Sequence, residues 1–394
     1  MTVLLFSLTR RFRASLSMSW GAVCLVGAIS LTQQRLMGGN PHVLIGKRAA
    51  LLGLVLSLAV SSAHAGPADL CFRGLNISGA EYGEADGVEG VDYTYPSAAT
   101  VSYFSAKGFD TVRLPFRWER LQPILGERLE PNELERLKAS VAGLRAKGFM
   151  VILDPHNYGY HSGLQIGSSE VSSRQFAQFW IRLAAEFANQ DGIAFGLMNE
   201  PHDIAPLVWL DAANQAIAGI RAVGARNLIL VPGTHWTGVV SWPEDFGQGS
   251  NADVMINVFD PVDNFAFEVH QYMDKDFSGT NEACVKADVA VDGLRKLSEW
   301  LRTHGKRAFL GEFGGSKEPE CLAGLTRMTD QMASDSDVWL GWTYWAGGDW
   351  WSPEEGNNIQ PTAEGDRAQL SVLLPALKPV AADAGACLRI PPAG

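Results

Sequence analysis

Short β-branched or apolar runs alternate with longer helical patterns along most of this chain, and few architectures accommodate such an alternation. The runs fall at residues 72–77, 111–115, 150–154, 193–199, 228–232, 267–272, 308–312 and 340–345. Between them, Leu134, Leu137, Val141 and Leu144 recur at steps of three and four within 131–147, the spacing of one helix face. Further helices are expected at 172–189, 206–223, 286–304, 322–334 and 366–377. Eight strands in unbroken βα alternation predict an α/β fold, a single (β/α)8 barrel. An open doubly wound sheet would also alternate, but no strand precedes a GxGxxG or GxxxxGK[ST] turn. Nucleotide cofactors therefore have no visible landing site, and no cofactor is expected. Beyond the leader, no Pro/Ser/Thr-rich linker, fixed-period repeat or charge block divides the chain.

The first 65 residues differ from the rest. They hold six bases (Arg10, Arg11, Arg13, Arg35, Lys47, Arg48) and no acid, whereas the whole chain carries a formal charge of −11. The acidic remainder repels polyphosphates, so nucleic acid is not an expected partner. Lys47 and Arg48 precede the apolar run 49–60 and the small-x-small tripeptide Ala63-His64-Ala65. This is the pattern of a signal peptide cleaved after Ala65, and the run is too short for a spanning helix, which needs ~20 apolar residues. A second apolar patch at 20–31 fits no simple export signal; a translation start at Met37 would account for it. The expected organisation is thus a leader over 1–65 and a single barrel over 66–394, secreted, monomeric and without stable membrane association.

Export would place Cys71, Cys284, Cys321 and Cys387 in an oxidising compartment, where they can pair. Cys71 opens the mature domain and Cys387 nearly closes it, which suits a staple between neighbouring termini. The expected pairs are Cys71 with Cys387 and Cys284 with Cys321. A zinc site is the competing reading, but none of the four has a CxxC partner.

In a barrel the working residues gather where strands end and βα loops begin. Those positions hold Arg113, His156, Asn157, Asn199, Glu200, His202, His235, Trp236, His270, Tyr272, Glu312 and Trp345. Glu200 and Glu312 end the fourth and seventh runs. A lone glutamate after a strand is ordinarily an ion-paired or surface residue. Two at matching strand ends, amid His, Asn, Tyr, Arg and Trp, point instead to paired carboxylates, as glycosidic cleavage requires: one gives a proton to the leaving oxygen and the other attacks or steers water.

The motifs sharpen this reading. Leu197-Met198-Asn199-Glu200-Pro201-His202 and Gly311-Glu312-Phe313-Gly314 resemble the acid/base and nucleophile motifs of glycoside hydrolase family 5, the cellulase family. Arg113-Leu114-Pro115-Phe116, Asp154-Pro155-His156-Asn157-Tyr158, Val269-His270-Gln271-Tyr272 and Trp342-Thr343-Tyr344-Trp345 match the other strand ends in order. Pro155 departs from the family, which more often has Leu before His-Asn. The resemblance implies a secreted endo-β-1,4-glucanase acting on cellulose or soluble β-glucan, with Glu200 as general acid/base and Glu312 as nucleophile. It further implies retention of anomeric configuration and carboxyls about 5 Å apart. Arg113 would orient Glu312 and hold it ionised, Tyr272 would donate to it, and Asn199 would reach the sugar 2-hydroxyl. His156, Asn157 and His270 would line the substrate, with Trp345 and Trp236 offering flat faces to sugar rings.

Competing readings remain in view. A β-mannanase, xyloglucanase or mixed-linkage glucanase would use the same two glutamates, and a silent carbohydrate-binding barrel would need neither. A metal centre would recruit His156, His161 and His202, but no compact ligand pair is present, and no GxSxG elbow supports serine chemistry. Trp180, Trp209 and Trp300 lie within helical patterns and suit the core; Trp350 and Trp351 occupy a long loop over 346–361, where adjacent side chains point apart.

Overall fold

The computed structural model describes residues 70–377. Eight parallel strands close a barrel: β1 (Phe72–Ile77), β2 (Thr111–Phe116), β3 (Met150–Pro155), β4 (Ile193–Gly196), β5 (Ile229–Pro232), β6 (Phe265–His270), β7 (Ala308–Glu312) and β8 (Trp339–Gly347). Each pairs with its neighbours in sequence, and β8 returns to β1. A helix follows each strand: α1 (Ala98–Lys107), α2 (Pro131–Ala146), α3 (Ser173–Phe187), α4 (Pro206–Ala222), α5 (Asn251–Val254), α6 (Ala287–His304), α7 (Pro319–Ser334) and α8 (Leu370–Ala376). Local sequence explains the boundaries. Ser172 and Gln175 form a capping box at the start of α3. Pro131 opens α2, where a missing N–H costs nothing. Gly108 ends α1 at φ 93°, a conformation that favours glycine.

Strand periodicity sorts the barrel interior into layers. At one end Phe72, Met150, Ile152, Ala194, Leu228, Leu230, Ala266, Phe309 and Leu340 form a separate apolar cluster. Two residues further along the same strands the sequence turns polar: Ile152 gives way to Asp154, and Ala266 to Glu268 and then His270. Because alternate residues share a face, these polar groups stand above the apolar cluster, toward the mouth. Glu312 breaks the alternation, following Gly311 directly. The β6/β7 register shifts between Val269 and His270, so that His270 pairs with Glu312. A bulge of this kind re-aims a side chain at a barrel rim.

The expected strand over 193–199 ends early, at Gly196, because the chain changes partners: Leu197 N–H donates to Leu230 O and Asn199 N–H to Pro155 O. The run expected at 267–272 is displaced to Phe265–His270, leaving Tyr272 in the loop. Helix α1 and the helical turn Trp118–Leu121 were not expected from periodicity. Cys284 and Cys321 form a disulfide with Cα atoms 5.1 Å apart, tying the loop after β6 to the first turn of α7. Cys387, expected to pair with Cys71, and the leader over 1–65 lie outside the described residues. Among the described residues no helix is long and apolar enough to cross a membrane.

Candidate active site

Arg113 is the hub of the mouth. It is wholly buried on β2, where an uncompensated guanidinium would be very costly. Every face of it is answered. Nε donates to Glu268 Oε1 at 2.7 Å, Nη2 to Asn199 Oδ1 at 2.9 Å, and Nη1 to Asn76 Oδ1 at 3.0 Å and Glu312 Oε1 at 2.8 Å. Asp154 Oδ2 lies 3.0 Å from Nη1. The surrounding carboxylates outweigh burial and hold the guanidinium well above its ordinary range. Four strand ends and the segment after β4 are thereby locked to one side chain.

Glu312 and Glu200 come together beside this hub, around His270. Tyr272 donates its hydroxyl to Glu312 Oε2 at 2.8 Å. His270 Nδ1 is 2.7 Å from Glu200 Oε1 and 3.7 Å from Glu312 Oε2. Ligating atoms of Glu200, His270 and Glu312 all lie within 4.8 Å of one another. That donor set could hold a metal, but Arg113, Tyr272 and His270 already answer both carboxylates. Glu200 is the more accessible of the two, with 15 % of its side chain exposed against 5 % for Glu312. Its backbone adopts φ 39°, which a non-glycine residue holds only under constraint.

Burial raises the Glu312 carboxyl above its ordinary value and Glu200 adds to the rise, while His270 and Arg113 pull it down. For His270 the balance runs the other way. Burial opposes its charge, but Glu312, Glu200 and Glu268 together push its pKa up to about 10. Burial also pushes the Tyr272 hydroxyl well up, so it remains a donor.

The remaining expected residues divide into two groups and one exception. His156 donates or accepts at Asp154 Oδ2 through Nδ1 at 2.7 Å, and its ring stacks on Trp345 at 5.3 Å with planes 15° apart. Trp351 meets Trp345 edge-on, while Trp350 stands partly exposed. On the other side of Glu200, Trp236 is 51 % exposed and stacks on His202 at 4.9 Å. A cavity of about 1040 Å³ extends on that side, lined by Glu200, Trp236, Phe246, His270, Tyr272 and Phe277 among others. Asn157 is the exception. Its Oδ1 accepts from Trp118 N–H and its Nδ2 donates to Glu119, so both ends of the amide hold the helical turn Trp118–Leu121. Asn199 Nδ2, by contrast, is buried and donates to no described residue.

Sequence reasoning did not find Glu268. An acid within the run Phe265–His270 has the appearance of an outward residue on an alternating strand, and only its strand parity with His270 signals the interior.

Comparison with known proteins agrees with the geometry. The family model "Cellulase (glycosyl hydrolase family 5)" matches residues 75–348. Endo-β-1,4-glucanase B of Emericella nidulans is 35 % identical over 306 residues, covering 76 % of this chain and 90 % of the relative. An endo-β-1,4-glucanase from Xanthomonas axonopodis pv. citri superposes with TM-score 0.77 at 46 % identity, over 78 % of this chain and 98 % of that one. XacCel5A, solved in complex with cellopentaose, gives TM-score 0.76 at 44 % identity, over 78 % and 99 %. With the barrel, the paired carboxylates and these matches in agreement, the chain belongs to the cellulase family, glycoside hydrolase family 5.

Proposed function

We propose that this chain is a retaining endo-β-1,4-glucanase that uses Glu312 as nucleophile and Glu200 as general acid/base. The separation of the two glutamates carries the mechanistic part. Carboxylate oxygens within 4.8 Å of each other suit direct attack by one glutamate, whereas inverting enzymes need carboxyls roughly 6.5–9.5 Å apart. The names of the relatives support β-1,4-glucan over mannan, xyloglucan or mixed-linkage substrates, and the cellopentaose bound to XacCel5A supports a chain-like ligand.

In the first step Glu312 Oε2 attacks the anomeric carbon while Glu200 gives its proton to the departing glycosidic oxygen, and a glycosyl ester forms. Arg113 and Tyr272 orient the attacking carboxylate, and the raised basicity that burial confers keeps it a competent nucleophile. Esterification removes the negative charge beside Glu200. Glu200 then takes a proton from water as that water attacks the same carbon, and the ester bond breaks with net retention. The unengaged Asn199 Nδ2 supplies a donor for the sugar 2-hydroxyl, a contact that tightens as the oxocarbenium develops. His156 and Trp345 line the glycone side; Trp236 serves the aglycone.

The same reading makes the protein an extracellular or periplasmic enzyme, exported by the segment ending at Ala65 and built as one catalytic barrel from residue 66 onward. Trapping tests the assignment. A 2-deoxy-2-fluoro cellobioside with a good leaving group should label the peptide containing Glu312, as read by mass spectrometry of a digest. A label on Glu200, or none with turnover intact, would contradict it.

A further inference from the structure

Glu268 is fully buried inside the barrel, on the same strand face as His270. Burying a carboxylate is costly, and packing alone would be served better by an apolar side chain. Its surroundings are nevertheless shaped to receive it. A Cβ on Gly311 would lie 2.4 Å from Glu268 Oε1 and 2.9 Å from His270 Nε2, and one on Gly196 would lie 3.2 Å from Glu268 Oε2. Only glycine at 311 leaves room for the carboxylate and the imidazole together. Oε1 meets Arg113 Nε at 2.7 Å and His270 Nε2 at 3.5 Å, while Oε2 accepts from no described residue.

We propose that Glu268 is a positioning residue for the glucanase reaction, holding Arg113 on one side and the His270 ring on the other so that His270 Nδ1 stays against Glu200. The inference rests on the roles assigned to Glu200 and Glu312. Two hydrogen-bonded ends fix a ring that one end would leave free to rotate, and an anion at Nε2 requires a proton there. The Nδ1 proton is thereby directed at Glu200, whose carboxylate is the form that must accept a proton from water in the second step. The charged groups that face His270 are Glu200 after β4, Glu312 on β7 and Glu268 on its own strand; Arg113 on β2 stands behind them, bonded to Glu268 and Glu312, and Tyr272 shares Glu312 with it. The loop after β5 presents Thr237, which donates to Glu268 O, and Gly238 beside His270, and its titratable His235 and Glu244 line the same cavity as His270. Burial raises the Glu268 carboxyl, but Arg113 and His270 together draw it below its ordinary value, so it is an anion across the working range.

Imidazole ¹⁵N NMR of His270 tests this without depending on which glutamate attacks. In the unaltered protein both ring nitrogens should carry protons at pH 8; an Nε2 without one overturns the proposal. In Glu268→Gln, which keeps size and shape, the His270 titration midpoint should fall by about one pH unit or more, a tenfold change in its protonation constant. The kcat should fall while KM changes little, and Glu268→Asp should recover much of the midpoint shift. An unchanged midpoint in the Gln variant overturns the proposal. Should that variant fail to fold, the measurement on the unaltered protein still decides. A misassignment of Glu200 and Glu312 would surface in the trapping experiment while leaving the His270 midpoints intact.

Discussion

The floor and the mouth of this barrel are built from the same strands, a few residues apart, by opposite chemistry. The floor is an apolar layer of Met150, Ile152, Leu230, Phe309 and their neighbours, whose stability comes from burial and close packing. The mouth buries Arg113, Asp154, Glu268, His270 and Glu312 in mutual contact. Such a network is weak evidence for stability, since removing whole ion pairs in favour of well-packed apolar groups is often neutral or stabilising. The contrast teaches that one end of the barrel holds the fold and the other holds charges in place for chemistry.

Crossed substitutions break this comparison most severely. Glu312→Gln should lower kcat by roughly 10⁴-fold or more, since residues acting as a catalytic unit lose most of their effect together, while the melting temperature holds or rises. Phe309→Ala, three residues away, should cost roughly 3–5 kcal/mol of stability and leave the activity of each folded molecule near normal. Denaturant titrations and steady-state kinetics on both proteins measure this. Equal stability losses for the two would erase the distinction.

A smaller effect sharpens it. The ordinary histidine value of 6.5 is raised to about 10 at His270, so the stability this group contributes is fully present below 6.5 and is lost as pH climbs through about 10. The stability difference between the unaltered protein and His270→Asn should therefore shrink over that window, by on the order of a few kcal/mol. The floor, having no titratable group, should show no such dependence in the Phe309→Ala difference. A His270→Asn difference that stays flat from pH 6 to 10 would contradict the charged imidazole.

Much of the mouth was legible because strand ends concentrate function in short consecutive motifs. Arg113, Asn199, Glu200, His270, Tyr272 and Glu312 all stand in such motifs, and the structure brings them into one cluster. For Asn157, nothing in the sequence shows that Trp118 and Glu119, some forty residues earlier, occupy its amide. The helix α1 escaped notice because Ala98–Lys107 mixes β-branched and aromatic residues, whose helix propensity is modest; its capping Ser97, hydrogen-bonded to Thr100 N–H, was the available signal. The bulge that turns Glu312 inward depends on pairing between strands, which no local pattern encodes. Glu268 remained hidden for the same reason, since its partners come from β2 and from its own strand two residues on.

The division of labour between the two glutamates is tested most directly by chemical rescue of Glu200→Ala. On an aryl cellobioside whose leaving group needs no protonation, the first step should survive and the glycosyl ester should accumulate, because no base remains to activate water. Added azide, an anionic nucleophile needing no base, should restore turnover and yield the β-glycosyl azide, identified by NMR of the product. Formation of the α-azide would mean that the removed residue was the nucleophile, and the roles of Glu200 and Glu312 would have to be exchanged.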